Sequence, residues 1–472
     1  MADSGNCLSR LWISRQAICS PLAYSKLSAR LGKVGSSLAH SGERRFEKYA
    51  TLNHTDKLLN DEALLDKVQC LTWQFFHDTT HPFSLLAPDR AIRPDRSAWQ
   101  GTNVCTTGGT GFAVVALVIA SERGWLSRDE ALRRLLRLVA CLERADRFHG
   151  AWPHFLHGES GRVIPFSAMD DGADIVETTF LIAGLLVARQ YFHHPGREAE
   201  LRRRIERLWQ TIEWHWFERP VSDAHPVLRW HWSPVHEWSM NLDVRGWNEC
   251  LLSYILAAAS PTSPISSDAY HRGWATGVNF RNGQRFHDIE LPLGPDGGGP
   301  LFWSQYAFLF LDPRGLADHH ANYWQQNLAH TRINRAHCIA NPHHHSGYGE
   351  NCWGLTASDS PEGYAAHEPR LDLGVISPTA AVSAMPYTPD ESMQALRHFH
   401  DERGTELCTP WGFIDAFSPD ADWFADTHLA IDQGPIIAMI ENHRSALVWE
   451  LFMSCPEVRA GLARLGFRSG MT

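Results

Sequence analysis

The chain has 472 residues, of which 44% are hydrophobic and 11% aromatic, enough to bury a large core and, by length alone, to form about three domains. Its 43 basic and 53 acidic side chains leave a net charge of −10, without the basic stripe and interleaved aromatics that a nucleic-acid binder shows. No apolar run approaches a membrane span, and lysine occurs only at or before Lys67, which excludes any later Schiff-base lysine.

Residues 1 to about 52 are Ser- and Arg-containing, poor in acids and without a long periodic apolar run. No charged segment followed by an apolar one marks a secretory signal there, so 1–54 is set apart as a poorly ordered or targeting arm. From Asn60, an expected N-cap, the chain reads as helix after helix. Gly109 to Trp125 is an apolar helix with a Gly stop. In the next helix Ser127 and Glu130 have the spacing of a capping box. A central apolar helix follows Asp174, with Phe180, Leu181, Gly184, Leu185 and Ala188 on one stripe. After a His-His-Pro-Gly break come an Arg/Glu-rich helix, an apolar helix within 248–260, a helix within 317–339 and a second capping-box pattern with Pro389 at N1. The last long helix is expected to run from Pro435. About a dozen helices, alternately apolar all round and amphipathic, suggest inner and outer rings. The expected fold is all-α, an (α/α)₆ barrel over 55–472 whose inner-helix ends open on a cavity.

Three carboxylates open the central helix. Asp170, Asp174 and Glu177 share one face if the helix reaches back to Asp170. If it starts near Asp174, that residue is the N-cap and Asp170 lies in the preceding loop. Like charges this close raise the pKa of at least one, although acids at a helix start are also simply favoured by the dipole. Asp170-Asp171-Gly-Ala-Asp174 also fits the diphosphate-binding pattern of class I terpene synthases. Those need a second Mg²⁺ motif, and its best candidate, from Ile431, has Ile436 where a hydroxyl belongs. The ten cysteines contain no C-x-x-C pair, and Cys141, Cys250 and Cys338 in apolar stretches read as reduced, buried thiols. His343, His344 and His345 lack an acidic partner at ligand spacing and read as a solvated loop. No metal and no cofactor are expected.

The blocks DDGADIVETTFLIAGLLVARQYF, GWNECLLSYILAAASPTSPI, GGPLFWSQYAFLFLDPRGL, ENCWGLTASDSPEGYAAH, WGFIDAF and LAIDQGPIIAMIEN, in order across roughly 60–470, resemble the bacterial glucoamylase-like domain family. The resemblance is nearest to glycoside hydrolase family 144, the endo-β-1,2-glucanases. It implies an (α/α)₆ barrel, inverting hydrolysis inside β-1,2-glucan chains, no obligatory metal, and a periplasmic or secreted protein, expected here to be a monomer. Inversion needs a protonated carboxyl and a water-activating carboxylate about 6.5–9.5 Å apart. Glu249, at the start of an apolar helix, is the expected general acid, where the resemblance also places it; the plainer alternative is a dipole-stabilised helix start. Asp432 is the expected base, its alternative an N-cap for the Pro435 helix. Asp170, Asp174 and Glu177 would position substrate hydroxyls, one of them serving as the fallback base. Trp152, Trp247, Trp303, Tyr306, Trp353, Tyr364 and Trp411 lie in loop blocks and are candidates for sugar stacking, about half of them for packing only. His154 and Asn248 complete the expected substrate contacts. A transglycosylase or exo-acting hydrolase, a glycan-binding toroid and a terpene synthase are the competing functions.

Overall fold

Four helices buried on all sides stand against a set of amphipathic ones, in a computed structural model that describes residues 59–92, 101–220, 225–277 and 279–470. The arm expected at 1–54 lies outside the described residues. Counting α-helices of five residues or more, the described chain contains α1 (Asp61–Thr79), α2 (Thr107–Glu122), α3 (Arg128–Leu142), α4 (Ile175–Tyr191), α5 (Arg197–Gln210) and α6 (Leu251–Ala259). They continue as α7 (Tyr323–Ala340), α8 (Pro378–Val382), α9 (Pro389–Arg397), α10 (Ala430–Ser445), α11 (Leu447–Met453) and α12 (Pro456–Arg464).

The buried helices α2, α4, α6 and α10 are apolar over most of their length and bury most of their side chains, the charged exceptions including Glu177, Arg189, Asp432 and Glu441. By contrast, α3 and α5 bury one leucine-rich stripe and expose Arg and Glu. Two glycines bring α2 and α4 together. A Cβ on Gly111 would lie 2.1 Å from the Phe180 carbonyl oxygen, and one on Gly184 would lie 2.2 Å from the Gly111 carbonyl oxygen. The two backbones touch where neither has a side chain.

Helix ends test the expected caps. Asn60 Oδ1 accepts from Ala63 N at 2.9 Å. Ser127 Oγ accepts from Glu130 N at 3.2 Å, but the Glu130 carboxylate turns to Arg133 and Arg134. The Pro389 pattern supplies its N1 proline, yet Thr388 makes no cap bond, its hydroxyl lying 3.1 Å from Ser392 Oγ instead. The Pro435 start is also corrected: α10 begins at Ala430 and contains Pro435. Gly434-Pro435 reads as a break in sequence, whereas a strand, Thr427–Leu429, feeds the helix directly after pairing with Arg90–Ile92.

Among the described residues, ladders of two or three residues depart from an all-helical reading. Three of them lie at entrances to buried helices, the Thr427–Leu429 ladder among them. Val104–Thr106 pairs with Phe155–His157 and leads into α2; Ala173–Asp174 pairs with His231–Trp232 and leads into α4. These ladders pin separate loops beside the N-terminal ends of the buried helices. A main hydrophobic cluster fills the space between those helices, and a smaller one, around Trp353, Phe399, Phe413 and Phe417, lies under α8 and α9.

The cysteines Cys141, Cys250 and Cys338 are buried thiols with pKa values pushed up by burial. No described helix is long and apolar enough to cross a membrane.

Candidate active site

The N-terminal ends of α2, α4 and α10, together with Glu249 just ahead of α6, face one pocket. Its walls are Asp89, Thr106, Gly108, Phe112, His154, Val176, Glu177, Phe180, Trp230, Glu249, Tyr306 and Ile431. Phe112, Phe180 and Phe302 crowd Tyr306, fixing that ring as part of the wall.

Of the two arrangements open for the acidic helix start, the structure adopts the second. Asp174 is the N-cap of α4, its Oδ1 accepting from Val176 N at 2.9 Å and Glu177 N at 3.0 Å. Its Oδ2 accepts from Trp230 Nε1 at 3.1 Å and lies 3.2 Å from His154 Nδ1. Asp170 is buried in the turn 167–170 before the helix. Glu177 reaches the pocket, where Oε2 accepts from Gly108 N at 2.6 Å and Thr106 Oγ1 at 3.0 Å. Burial raises the Glu177 pKa, and the charge on His154 partly opposes this. For His154, burial alone would lower the pKa. The charges of Glu177, Asp174 and Asp170 override it and raise His154 to about 9, making it a cation at neutral pH.

Glu249 is raised to about 7, first by burial and then by the charges on Asp174 and Glu177. A carboxyl in that range keeps its proton at neutral pH yet can give it up, as a general acid must. Asn248 beside it makes the tight turn into α6, its Oδ1 accepting from Cys250 N at 3.0 Å.

Asp432 is not an N-cap; it lies inside the first turn of α10, whose N-cap Leu429 makes no side-chain bond. Its carboxyl stands behind the pocket wall, where Oδ1 accepts from Tyr306 Oη at 3.5 Å. Burial, then the charge and hydrogen bond of Asp415, hold the Asp432 pKa well above the carboxylate range. Asp415 is itself raised to about 7, by burial and by Asp359. Two buried carboxyls this close resist carrying a charge each. Asp359 anchors this group: it takes both its oxygens to Arg90 Nη1, at 2.9 and 3.1 Å, and its amide donates to Asp415 Oδ2 at 2.7 Å. Asp359 and Asp415 do not stand out in the sequence, although both lie in blocks quoted above, and neither do Asp89 and Trp230. No local pattern marks them, because they meet only through the 90–92/427–429 and 173–174/231–232 ladders.

The loop aromatics divide. Tyr306 lines the pocket, Tyr364 lies close enough for Asp432 to perturb its hydroxyl, and Trp303 is half-buried against Phe302. Trp152, Trp247, Trp353 and Trp411 are at most 2% exposed. Trp152 lies under the Arg147 guanidinium, Trp247 stacks on Tyr323, Trp353 fills the smaller cluster, and Trp411 Nε1 donates to Asp78. A ring covered on both faces offers no platform to a sugar, so these four are packing residues. The histidine run is corrected in part: His343 and His344 are exposed, but His345 meets two aspartates, Asp420 at 2.7 Å and Asp372 at 3.5 Å. Those partners are distant in sequence.

Fold and pocket together define a helix-rich protein whose inner helix ends enclose a carboxyl-lined site. Residues 241–456 match the glucoamylase family model Glycoamylase. The exo β-1,2-glucooligosaccharide sophorohydrolase (non-reducing end) of Parabacteroides distasonis is 38% identical over 436 residues, 88% of this chain and 59% of that protein. The chain thus spans about three fifths of that curated relative. The endo-β-1,2-glucanase of Chitinophaga pinensis, solved with sophorotriose and glucose, superposes with a TM-score of 0.83 at 49% identity, over 87% of this chain and 99% of that one. The β-1,2-glucanase of Parabacteroides distasonis gives 0.82 at 38%, over 86% and 60%. The chain belongs to the glucoamylase-like domain family, in the part of it similar to glycoside hydrolase family 144. That placement removes the terpene-synthase reading, whose aspartates are in any case spread over a turn and an N-cap rather than a helix face.

Proposed function

We propose that this chain is an inverting glycoside hydrolase that cleaves internal bonds of β-1,2-glucan, built as one (α/α)₆-barrel domain from about residue 55. The observation that carries the reading is Glu249, a buried carboxyl held at about 7 on the wall of a pocket that also presents Glu177 and His154. Glu249 protonates the leaving oxygen. Asp432 and Asp415 act as the base, taking the proton of the attacking water as a unit that already holds one proton and one charge. The phenol of Tyr306, between the pocket and Asp432, relays that proton. The His154 cation, held by Asp174, Asp170 and Glu177, orients sugar hydroxyls.

The endo reading is supported by the 49% identity to the Chitinophaga pinensis enzyme. The exo reading stands second because the Parabacteroides distasonis sophorohydrolase is 38% identical. Incubation with linear β-1,2-glucan separates them: endo action releases a ladder of short oligomers at early times. Disaccharide alone from the first minutes overturns endo action, and no cleavage of this glucan overturns the substrate.

A further inference from the structure

Away from the pocket, His271, His319 and His320 place one ring nitrogen each within 4.8 Å of the others. His271 belongs to a turn of π-helix at 269–273, and the other two to a loop far away in sequence. His271 Nδ1 and His320 Nε2 are 3.4 Å apart. Two imidazole nitrogens bound to one tetrahedral Zn²⁺ at about 2.0–2.1 Å stand roughly 3.3 Å apart, so this pair already has the spacing of a bound edge. His319 closes the triangle, its ring centroid 4.7 Å from that of His271 and 3.7 Å from that of His320.

The surroundings hold these donors in place. Asp318 Oδ1 accepts from His320 N at 2.8 Å and Ala321 N at 3.0 Å, shaping the loop that presents both its histidines. Its Oδ2 accepts from Tyr270 Oη at 2.6 Å, tying that loop to the residue beside His271. The backbone of Leu465 also lies beside the His271 ring, the kind of outer contact that orients a metal-binding imidazole. Arg281 opposes a cation: its Nη2 lies 3.2 Å from His320 Nδ1, but its side chain is exposed and has room to swing into solvent.

We propose that His271, His319 and His320 form a surface site for one first-row divalent metal ion, best suited to Zn²⁺, with water completing the coordination. Three imidazoles and an open position suit that ion. Bound there, it links the 269–273 turn, the 318–320 loop and the C-terminal segment at Leu465. None of the three histidines lines the catalytic pocket, so glucan cleavage does not require the ion.

The test uses the full chain stripped with chelator, then titrated with Zn²⁺ by calorimetry and with Co²⁺ by visible absorption. One equivalent of Zn²⁺ should bind and raise the melting temperature, and Co²⁺ should give ligand-field bands of a tetrahedral site. His319→Gln, at an exposed position, and His271→Gln should each weaken binding at least tenfold, while His343→Gln/His344→Gln leaves it unchanged. Arg281→Ala should tighten binding several-fold, an effect that a merely hydrogen-bonded histidine cluster would not produce. Absence of one-to-one binding, or binding that survives His271→Gln and His319→Gln, overturns the site.

Discussion

Glu249 and the Asp415–Asp432 pair are placed to work in opposite protonation states. Glu249 must hold its proton, which it does below about 7. The pair must hold no more than one, which Asp415 permits above about 7. The expected kcat/KM profile is therefore a narrow bell near neutrality, falling on the alkaline side as Glu249 ionises and on the acid side as the pair gains its second proton. A profile flat from pH 5 to 9 would contradict both assignments. Glu249→Gln should lower turnover by about 10²–10⁴ and abolish the alkaline limb. It should also change stability with a defined sign. The folded-state pKa of Glu249 is raised from 4.5 to about 7, so its contribution to stability is intact below pH 4.5 and is lost as pH rises towards 7. At pH 8 the glutamine variant should then be the more stable by about 3 kcal/mol, and at pH 4 the two should melt alike. Tyr306→Phe and Asp432→Asn should each cost kcat more than KM if the proton travels by that route. Glu177→Gln inactive with Asp432→Asn near wild type would move the base to Glu177.

At the scale of elements, the α2–α4 contact sets how closely the pocket walls approach. Gly184→Ala puts a methyl group 2.2 Å from the Gly111 carbonyl oxygen, and two helix backbones cannot yield as a flexible side chain can. The expected loss is about 3 kcal/mol or more, read as a lowered denaturant midpoint, with activity falling because α4 carries Asp174 and Glu177. A second tie holds α2 to α10: Arg123 meets the buried Glu441 through two bonds of 2.8 and 2.9 Å, and Gln69 of α1 donates to the same carboxylate at 3.1 Å. Arg123→Ala leaves that carboxylate without its cation and should cost about 3–5 kcal/mol. Arg123→Ala/Glu441→Gln should recover part of it, since the stranded charge is then gone. A single variant as stable as the parent would show the pair to be dispensable.

At the scale of the whole molecule, the proposed two-sided attack fixes the stereochemistry of the product. Water delivered from the Asp432 side and protonation from Glu249 give an α reducing end from a β linkage, visible by NMR or polarimetry before mutarotation. A β product would mean retention and would require the nucleophile to be a pocket carboxylate such as Glu177.

Periodicity and composition alone determined much of this architecture. Runs with little charge fold into helices buried on all sides, and runs with an Arg/Glu face into helices that bury one stripe, because burying an unpaired charge is costly. Asn60, Ser127 and Asp174 were legible as helix starts because capping is a contact between near neighbours. Glu249 stands out in the sequence as an acid running into an apolar helix, and the fold places it on the pocket wall. Tertiary structure alone decided what depends on distant segments meeting. It assigned Trp152, Trp247, Trp353 and Trp411 to packing, moved the start of α10 from Pro435 to Ala430, and gave His345 its aspartates. It also joined Asp415 and Asp359 to Asp432 and gathered His271 with His319 and His320. A contact between residues 415 and 432, or three imidazoles drawn from a helical turn and a loop, exists only after the chain has folded, because electrostatic interactions act across ångströms of space and not along the sequence.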